Sequence, residues 1–189
     1  GKSTTIRLLL DFLRPTSGSA SVLGFDCRRE SVEVRRRTGY LPGELRLYGG
    51  LTGNQTVALF TGLRDGRVDP ARAKRMAAEL ELDLTKKASS LSKGNRQKLG
   101  VLLALLGQPE VLLLDEPTTG LHPLVQRVVW EMLRREAEHG TTVFFSTYLG
   151  GAGGENIATE TAGSIAVDAN QAVYIAGDTA SADFPTTPG

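Results

Sequence analysis

The stretch VLLLDEP at residues 111–117 decides how the rest of the chain is read. Four consecutive apolar residues suit a strand buried on both faces, as in a parallel sheet with helices on either side. Two acids follow at its end. Open α/β sheets meet their ligands beyond the carboxyl ends of their strands, so Asp115 and Glu116 stand where a ligand would sit. There Asp115 would hold Mg²⁺ through water, and Glu116 would polarise an attacking water. The same residues also read as a strand that ends in a solvated acidic turn. The stretch alone leaves both readings open.

Two further stretches bear on the choice. GKSTT at 1–5 is the second half of the phosphate loop G-x-x-x-x-G-K-[ST], and Ile6, Leu9, Leu10 and Leu13 after it fall on one side of a helix. In such a loop glycine lets the backbone approach a phosphate, and successive amides and the helix N-terminus attract its charge. Lys2 reaches the β/γ oxygens and Ser3 coordinates Mg²⁺. The bland alternative is an exposed turn. LSKGNRQKLG at 91–100 opens with an N-cap, Ser92, and Leu99, Leu102, Leu103 and Leu106 continue at helical spacing. A serine and Gly94 at a helix start make a second anion site. The alternative is a capped surface helix with Lys93, Arg96 and Lys98 in solvent.

Together these stretches resemble the nucleotide-binding domain of ATP-binding-cassette (ABC) transporters. GKSTT matches the end of the Walker A loop. LSKGN matches the family signature, usually LSGGQ, with Asn95 at the last glutamine. VLLLDEP matches Walker B with its catalytic glutamate. Their order and spacing, 90 residues from Lys2 to Ser92 and 23 from Ser92 to Asp115, look like the family's. The resemblance runs from Gly1 to about Phe145. GYLPGE at 39–44 with SKGNRQKLG is most similar to cassettes of the ABC-2 exporter type, including drug and antibiotic exporters.

The resemblance implies an α/β fold of the P-loop NTPase (ABC ATPase) kind, with a core of mainly parallel sheet, truncated at its start. It implies a helical subdomain over 53–91, with Thr52 capping one helix and Asp69-Pro70 starting another. It further implies an ATP-binding and ATP-hydrolysing subunit of an exporter. Gly1, Lys2, Ser3, Thr4, Ser92, Gly94 and Asn95 would bind ATP, Ser3 and Asp115 would hold Mg²⁺, and Glu116 would be catalytic. The implied partners are a second nucleotide-binding domain and a separate transmembrane permease, with no nucleic acid. The two domains would pair head to tail, Ser92 and Gly94 of one closing the ATP site of the other. The cassette would sit peripherally on the cytoplasmic face of the membrane.

Four departures bear on activity. Residue 1 is a glycine inside the motif, so the chain reads as a fragment without the first half of Walker A. The Q-loop glutamine position holds Gly43, with Glu44 beside it. The D-loop aspartate is replaced by His122 in TTGLHP, expected as a solvated residue near a helix start. The switch histidine ends a strand about 33 residues past the Walker B aspartate in the family, which lands on Tyr148 in FFSTY. Tyrosine cannot replace an imidazole at a γ-phosphate at neutral pH. Poor hydrolysis is therefore expected.

Composition bounds the rest. The longest apolar runs, 101–106 and 111–114, fall short of the ~20 residues that a membrane-spanning helix needs. No signal-peptide pattern is visible. A single cysteine, Cys27, cannot form an internal disulfide, and a net charge of +1 argues neither for nor against nucleic acid. The charge is unevenly spread. All 22 Lys and Arg lie in residues 1–144, against 16 acids, whereas the 45 residues from Phe145 onward hold five acids and neither Lys nor Arg. This marks a boundary near Phe145.

Val143-Phe144-Phe145 reads as a buried strand, the last of the cassette. From Ser146 the sequence resembles one SBBP-type β-propeller repeat, from STYLGG to DFPTTPG. In it SIAVD and AVYIAGDT form a β-hairpin around a polar turn at 168–171. The expected domains are thus a partial ABC ATP-binding domain at 1–145 and a single repeat at 146–189. Such repeats usually belong to secreted or surface proteins, so the tail suggests an extracellular relative. At least ~3 repeats are needed to bury their shared faces. The competing identity is a structural or interaction β-propeller-repeat protein that carries an ABC remnant, from a chimeric or misassembled gene.

Overall fold

The computed structural model describes residues 2–63, 69–146, 161–167 and 173–178. The chain divides into two compact units, Gly1–Thr147 and Tyr148–Gly189. In the first, helix α1 (Lys2–Leu9) precedes two short strands, β1 (Ser21–Val22) and β2 (Phe25–Asp26). Helix α2 (Ser31–Arg37), strand β3 (Thr38–Leu41) and helices α3 (Gly53–Gly62), α4 (Pro70–Glu79) and α5 (Lys93–Leu105) follow. Strand β4 (Val111–Asp115), helix α6 (Pro123–Glu138) and strand β5 (Thr142–Ser146) complete it.

Strand β4 is buried at every residue and lies in the middle of a parallel sheet ordered β3-β4-β5. Its alternate side chains enter two different cores. Val111 and Leu113 pack with Ile6 and Leu10 at α1. Leu112 and Leu114 join the larger core of Leu99, Leu102, Val129 and Leu133, supplied by α5 and α6. Burying each such leucine is worth about 1.5–3 kcal/mol, which is why an uninterrupted apolar run belongs here. Pairing runs from Thr38 opposite Val111 to Leu41 opposite Leu114 on one side. On the other it runs from Val111 opposite Thr142 to Asp115 opposite Ser146.

Two expectations about apolar runs are corrected. Leu13 does not extend the buried face of α1, because that helix stops at Leu9 and Asp11 turns left-handed at φ 59°. Phe12 N and Leu13 N donate back to Arg7 O, and Leu13 is left exposed. Nor is Val143-Phe144-Phe145 a buried strand: Phe144 and Phe145 are each 43% exposed. Among the described strands β5 is a sheet edge, with β4 as its one neighbour. Phe145 rests edge-on against Trp130 of α6, ring centroids 4.9 Å apart, and Phe144 points to the opposite face.

The helices between β3 and β4 begin where their caps predict. Thr52 and Gln55 form a reciprocal capping box at α3. Asp69 caps α4 by accepting from Ala71 N at 2.8 Å, with Pro70 in the first turn. Ser92 caps α5 through Asn95 N at 3.2 Å. Residues Leu99–Leu105 of α5 are all buried, so it is a core helix and not the capped surface helix that LSKGNRQKLG also allowed. Ala73, Met76, Ala77 and Leu80 place α4 on the same core. Arg72 fastens α4 by donating to Glu136 Oε1 at 2.5 Å and to Leu105 O at 3.3 Å.

In the second unit β6 (Thr161–Val167) and β7 (Val173–Asp178) pair antiparallel, from Thr161 opposite Asp178 to Val167 opposite Val173. The polar turn expected at 168–171 lies outside the described residues, as do the STYLGG and DFPTTPG ends apart from Ser146. Among the described residues no helix is long and apolar enough to cross a membrane.

Close approach of β3 to α5 makes a sharp test. A Cβ at Gly39 would lie 2.2 Å from the carbonyl oxygen of Ala104. Gly39→Ala is expected to destabilise by at least about 1–3 kcal/mol in urea unfolding. Gly62→Ala, with open space around it, is expected to be neutral or to stabilise by up to ~1 kcal/mol. A second test concerns pH. The Ala71 amide, with help from Arg75, holds the Asp69 carboxyl below the usual aspartate range. The stabilisation is present above the unfolded value of about 3.9 and is lost as pH falls through the lower folded value. Amides in the first turn of α4 should lose hydrogen-exchange protection in that acid window, and Asp69→Asn should abolish the pH dependence.

Candidate functional site

Asp115 and Glu116 stand at the carboxyl end of the central strand. Asp115 is buried, 6% exposed, which removes the reading of a solvated acidic turn. Its Oδ1 accepts a 2.5 Å hydrogen bond from Ser146 Oγ, and Ser146 is itself 5% exposed. Beside Oδ2 lies Gly43, where an added Cβ would come within 3.2 Å. Glu44, the other candidate for the Q-loop position, has an 87% exposed side chain and pairs with Arg46 at 3.8 Å. Gly43 therefore faces Asp115, and Glu44 faces solvent.

Helix α1 lies over the same face of β4 as Asp115, since Val111, Leu113 and Asp115 alternate onto one side. Arg35, just before β3, donates to Leu10 O at 3.1 Å. That bond holds the far end of α1 beside the start of the sheet, so its N-terminal turn points toward the end that carries Asp115. Lys2, Ser3 and Thr4 occupy that turn, with Ser3 half-buried and Thr4 exposed; Gly1 lies outside the described residues. Tyr40 lies within electrostatic reach of Arg7 and Asp115. Burial pushes its phenol up, Arg7 opposes, and the Asp115 charge adds to the rise.

Glu116 takes a backbone that a side chain rarely adopts, φ 53°. Such a residue costs of order 1–3 kcal/mol and persists where its surroundings hold it. Here its N–H donates to Ser146 O at 3.0 Å, its C=O accepts from Gln97 Nε2 at 3.1 Å, and its Oε2 accepts from Thr119 Oγ1 at 3.0 Å. Gln97 also donates to Pro117 O at 3.2 Å. The signature helix α5 is thus bolted to the turn after β4. Gly94 sits so close to this turn that a Cβ there would be 3.1 Å from Gly120 O. Ser92 is exposed at the mouth of α5, and Asn95 is half-buried in its first turn.

A family model described as "ABC transporter" matches residues 1–119. The chain belongs to the ABC transporter family. It is 36% identical over 152 residues to the probable multidrug ABC transporter ATP-binding protein YbhF of Escherichia coli (strain K12), covering 78% of this chain and 26% of that protein. It is 37% identical over 154 residues to the daunorubicin/doxorubicin resistance ATP-binding protein DrrA of Streptomyces peucetius, covering 78% and 46%. The chain thus spans between about a quarter and a half of these two relatives. Among solved structures, an ATP-binding subunit of an ABC transporter superposes with TM-score 0.71 at 28% identity, over 79% of this chain and 64% of that one. A dimeric ATP-binding cassette in a post-hydrolysis state, bound to ADP and Pi, gives TM-score 0.70 at 25% identity, over 78% and 70%. The fold is that of an ABC ATPase of the P-loop class, α/β with a parallel sheet. These relatives are ATP-binding cassettes and give the β-propeller identity no support.

Within this ABC domain the structure adds residues that the motifs did not single out. Gln97 is 8% exposed and holds the acid turn. Its only sequence signal is a glutamine just before the buried run Leu99–Leu105. Ser146 was read as the first residue of the tail, but β5 includes it, opposite Asp115. His122 is exposed and caps α6, its Nδ1 accepting from Leu124 N at 3.4 Å, in line with the solvated residue expected near a helix start. Tyr148, at the switch position, lies outside the described residues. Gln97→Ala removes the donor of two carbonyls and is expected to cost about 1–3 kcal/mol. Chemical denaturation measures it, and Gln97→Glu, which offers no donor, should cost at least as much.

Proposed function

We propose that the chain is the ATP-binding subunit of an ABC exporter. The observation that carries this reading is the acid pair at the end of β4, with Asp115 buried beneath the face that α1 covers and Glu116 locked in its turn. In this reading the backbone of Gly1 to Thr4 and the Lys2 ammonium take the phosphates. Ser3 holds Mg²⁺ directly and Asp115 holds it through water; Mg²⁺ is a hard cation that favours oxygen ligands and keeps several waters. The close fit of Gly43 against Asp115 Oδ2 is the local feature that suits this. A Cβ there would crowd the oxygen, whereas glycine keeps a side chain out of the space. Bound Mg²⁺ would neutralise charge that develops on the transferred phosphoryl group. Glu116 polarises the attacking water.

Ser92, Gly94 and Asn95 then serve a second copy, paired head to tail, and a separate membrane permease converts the motion into export. The exposure of Ser92 supports such a partner. The similarity to multidrug and daunorubicin-resistance proteins supports drug-like cargo, and the cassette is read as sitting peripherally on the cytoplasmic face of the membrane. With glycine at the Q-loop position and tyrosine at the switch position, turnover is slow. Residues 146–189 are read as one β-propeller-type repeat that follows the ATP-binding domain of 1–145 in sequence; the antiparallel pair β6–β7 supports this.

Calorimetric titration of the purified chain with Mg·ATP tests the reading. Binding should be present, and Lys2→Ala should abolish it. Residual hydrolysis should fall a further ~10²–10⁴-fold in Glu116→Gln, while binding persists. Absence of ATP binding, or turnover indifferent to Glu116→Gln, overturns it.

A further inference from the structure

We propose that Ser146 is a positioning residue that sets the Asp115 carboxylate for a divalent cation. The inference rests on the reading of Asp115 as a metal-binding group and adds a residue to it. Parallel pairing carries β5 one residue past its apolar stretch, so Ser146 stands directly opposite Asp115. Its hydroxyl donates to Asp115 Oδ1 at 2.5 Å, with both residues buried. Rotation of a carboxylate about its last bond is otherwise broad and two-fold. With Oδ1 engaged, the carboxylate plane is constrained and Oδ2 is presented beside Gly43, which has no side chain of its own to cover it.

The same residue reaches the second acid through its main chain, since Ser146 O accepts from Glu116 N at 3.0 Å. One residue at the end of β5 therefore registers both members of the pair, one by side chain and one by backbone. A substitution that removes only the hydroxyl separates the two roles. It frees the Asp115 carboxylate and leaves the hydrogen bond to Glu116 in place. Removing a partner that orients a group around a metal typically costs ~10–100-fold in metal affinity.

The test uses the full chain, with Mn²⁺ as the probe and ATP present, and reads free Mn²⁺ by electron paramagnetic resonance. Ser146→Ala is expected to weaken Mn²⁺ binding by ~10–100-fold and to leave metal-free ATP binding unchanged. Ser146→Thr, which keeps the hydroxyl on a residue suited to a strand, should stay within a few-fold of the wild type. Wild-type Mn²⁺ affinity in Ser146→Ala overturns the inference. So does an equal loss in the Ala and Thr variants that tracks their melting temperatures, because that marks packing alone. A wild-type chain that takes up no Mn²⁺ overturns the metal role of Asp115 and this inference with it, and the wild-type arm identifies that case.

Discussion

The run Val111–Leu114 has to be covered on both faces, and the first unit is built around that requirement. One face is met by α1 and the other by α5 and α6, with α4 behind them. Covering both faces forces helices between the strands, and helices between strands make the pairing parallel. Parallel pairing then gathers the strand ends on one edge of the sheet. Asp115, Ser146 and the loop at Gly43 meet there because their strands all stop at that edge.

At this edge burial gives way to polar chemistry, and the change is abrupt. Leu114 is 1% exposed, and the next residue is a buried carboxylate. A buried charge is costly unless it is hydrogen-bonded, and Ser146 supplies that bond. Glu116 carries a cost of a different kind, a left-handed backbone next to a proline. Bonds from Ser146, Gln97 and Thr119 hold it from three directions. The acid pair is thus held by β5, by α5 and by its own turn. Movement of any of these elements would reach it.

Much of this was legible beforehand wherever the signal is local. Thr52, Asp69 and Ser92 cap helices because a side-chain oxygen two or three residues ahead of a free amide needs no tertiary partner. The apolar run at 111–114 predicts its own burial. What failed depends on neighbours distant in sequence. Phe144 and Phe145 have the composition of a core strand, yet an edge position leaves both partly exposed. Leu13 is the local exception: it keeps helical spacing with Leu10, but the helix ends before it. The roles of Gln97 and Ser146 are not legible because nothing in a glutamine or a serine says which carbonyl or carboxylate it will meet.

The sequence by itself determined the class of fold, the order of the motifs and the identity of the acids, because these follow from short-range periodicity and from residues whose chemistry has few uses. It also carried the change of composition near Phe145. Tertiary structure alone decided which atoms face one another. Gly43 lies against Asp115 Oδ2 across 72 residues and Ser146 bonds Oδ1 across 31. The register of three parallel strands sets both approaches, and register is a property of the paired strands that no single stretch encodes.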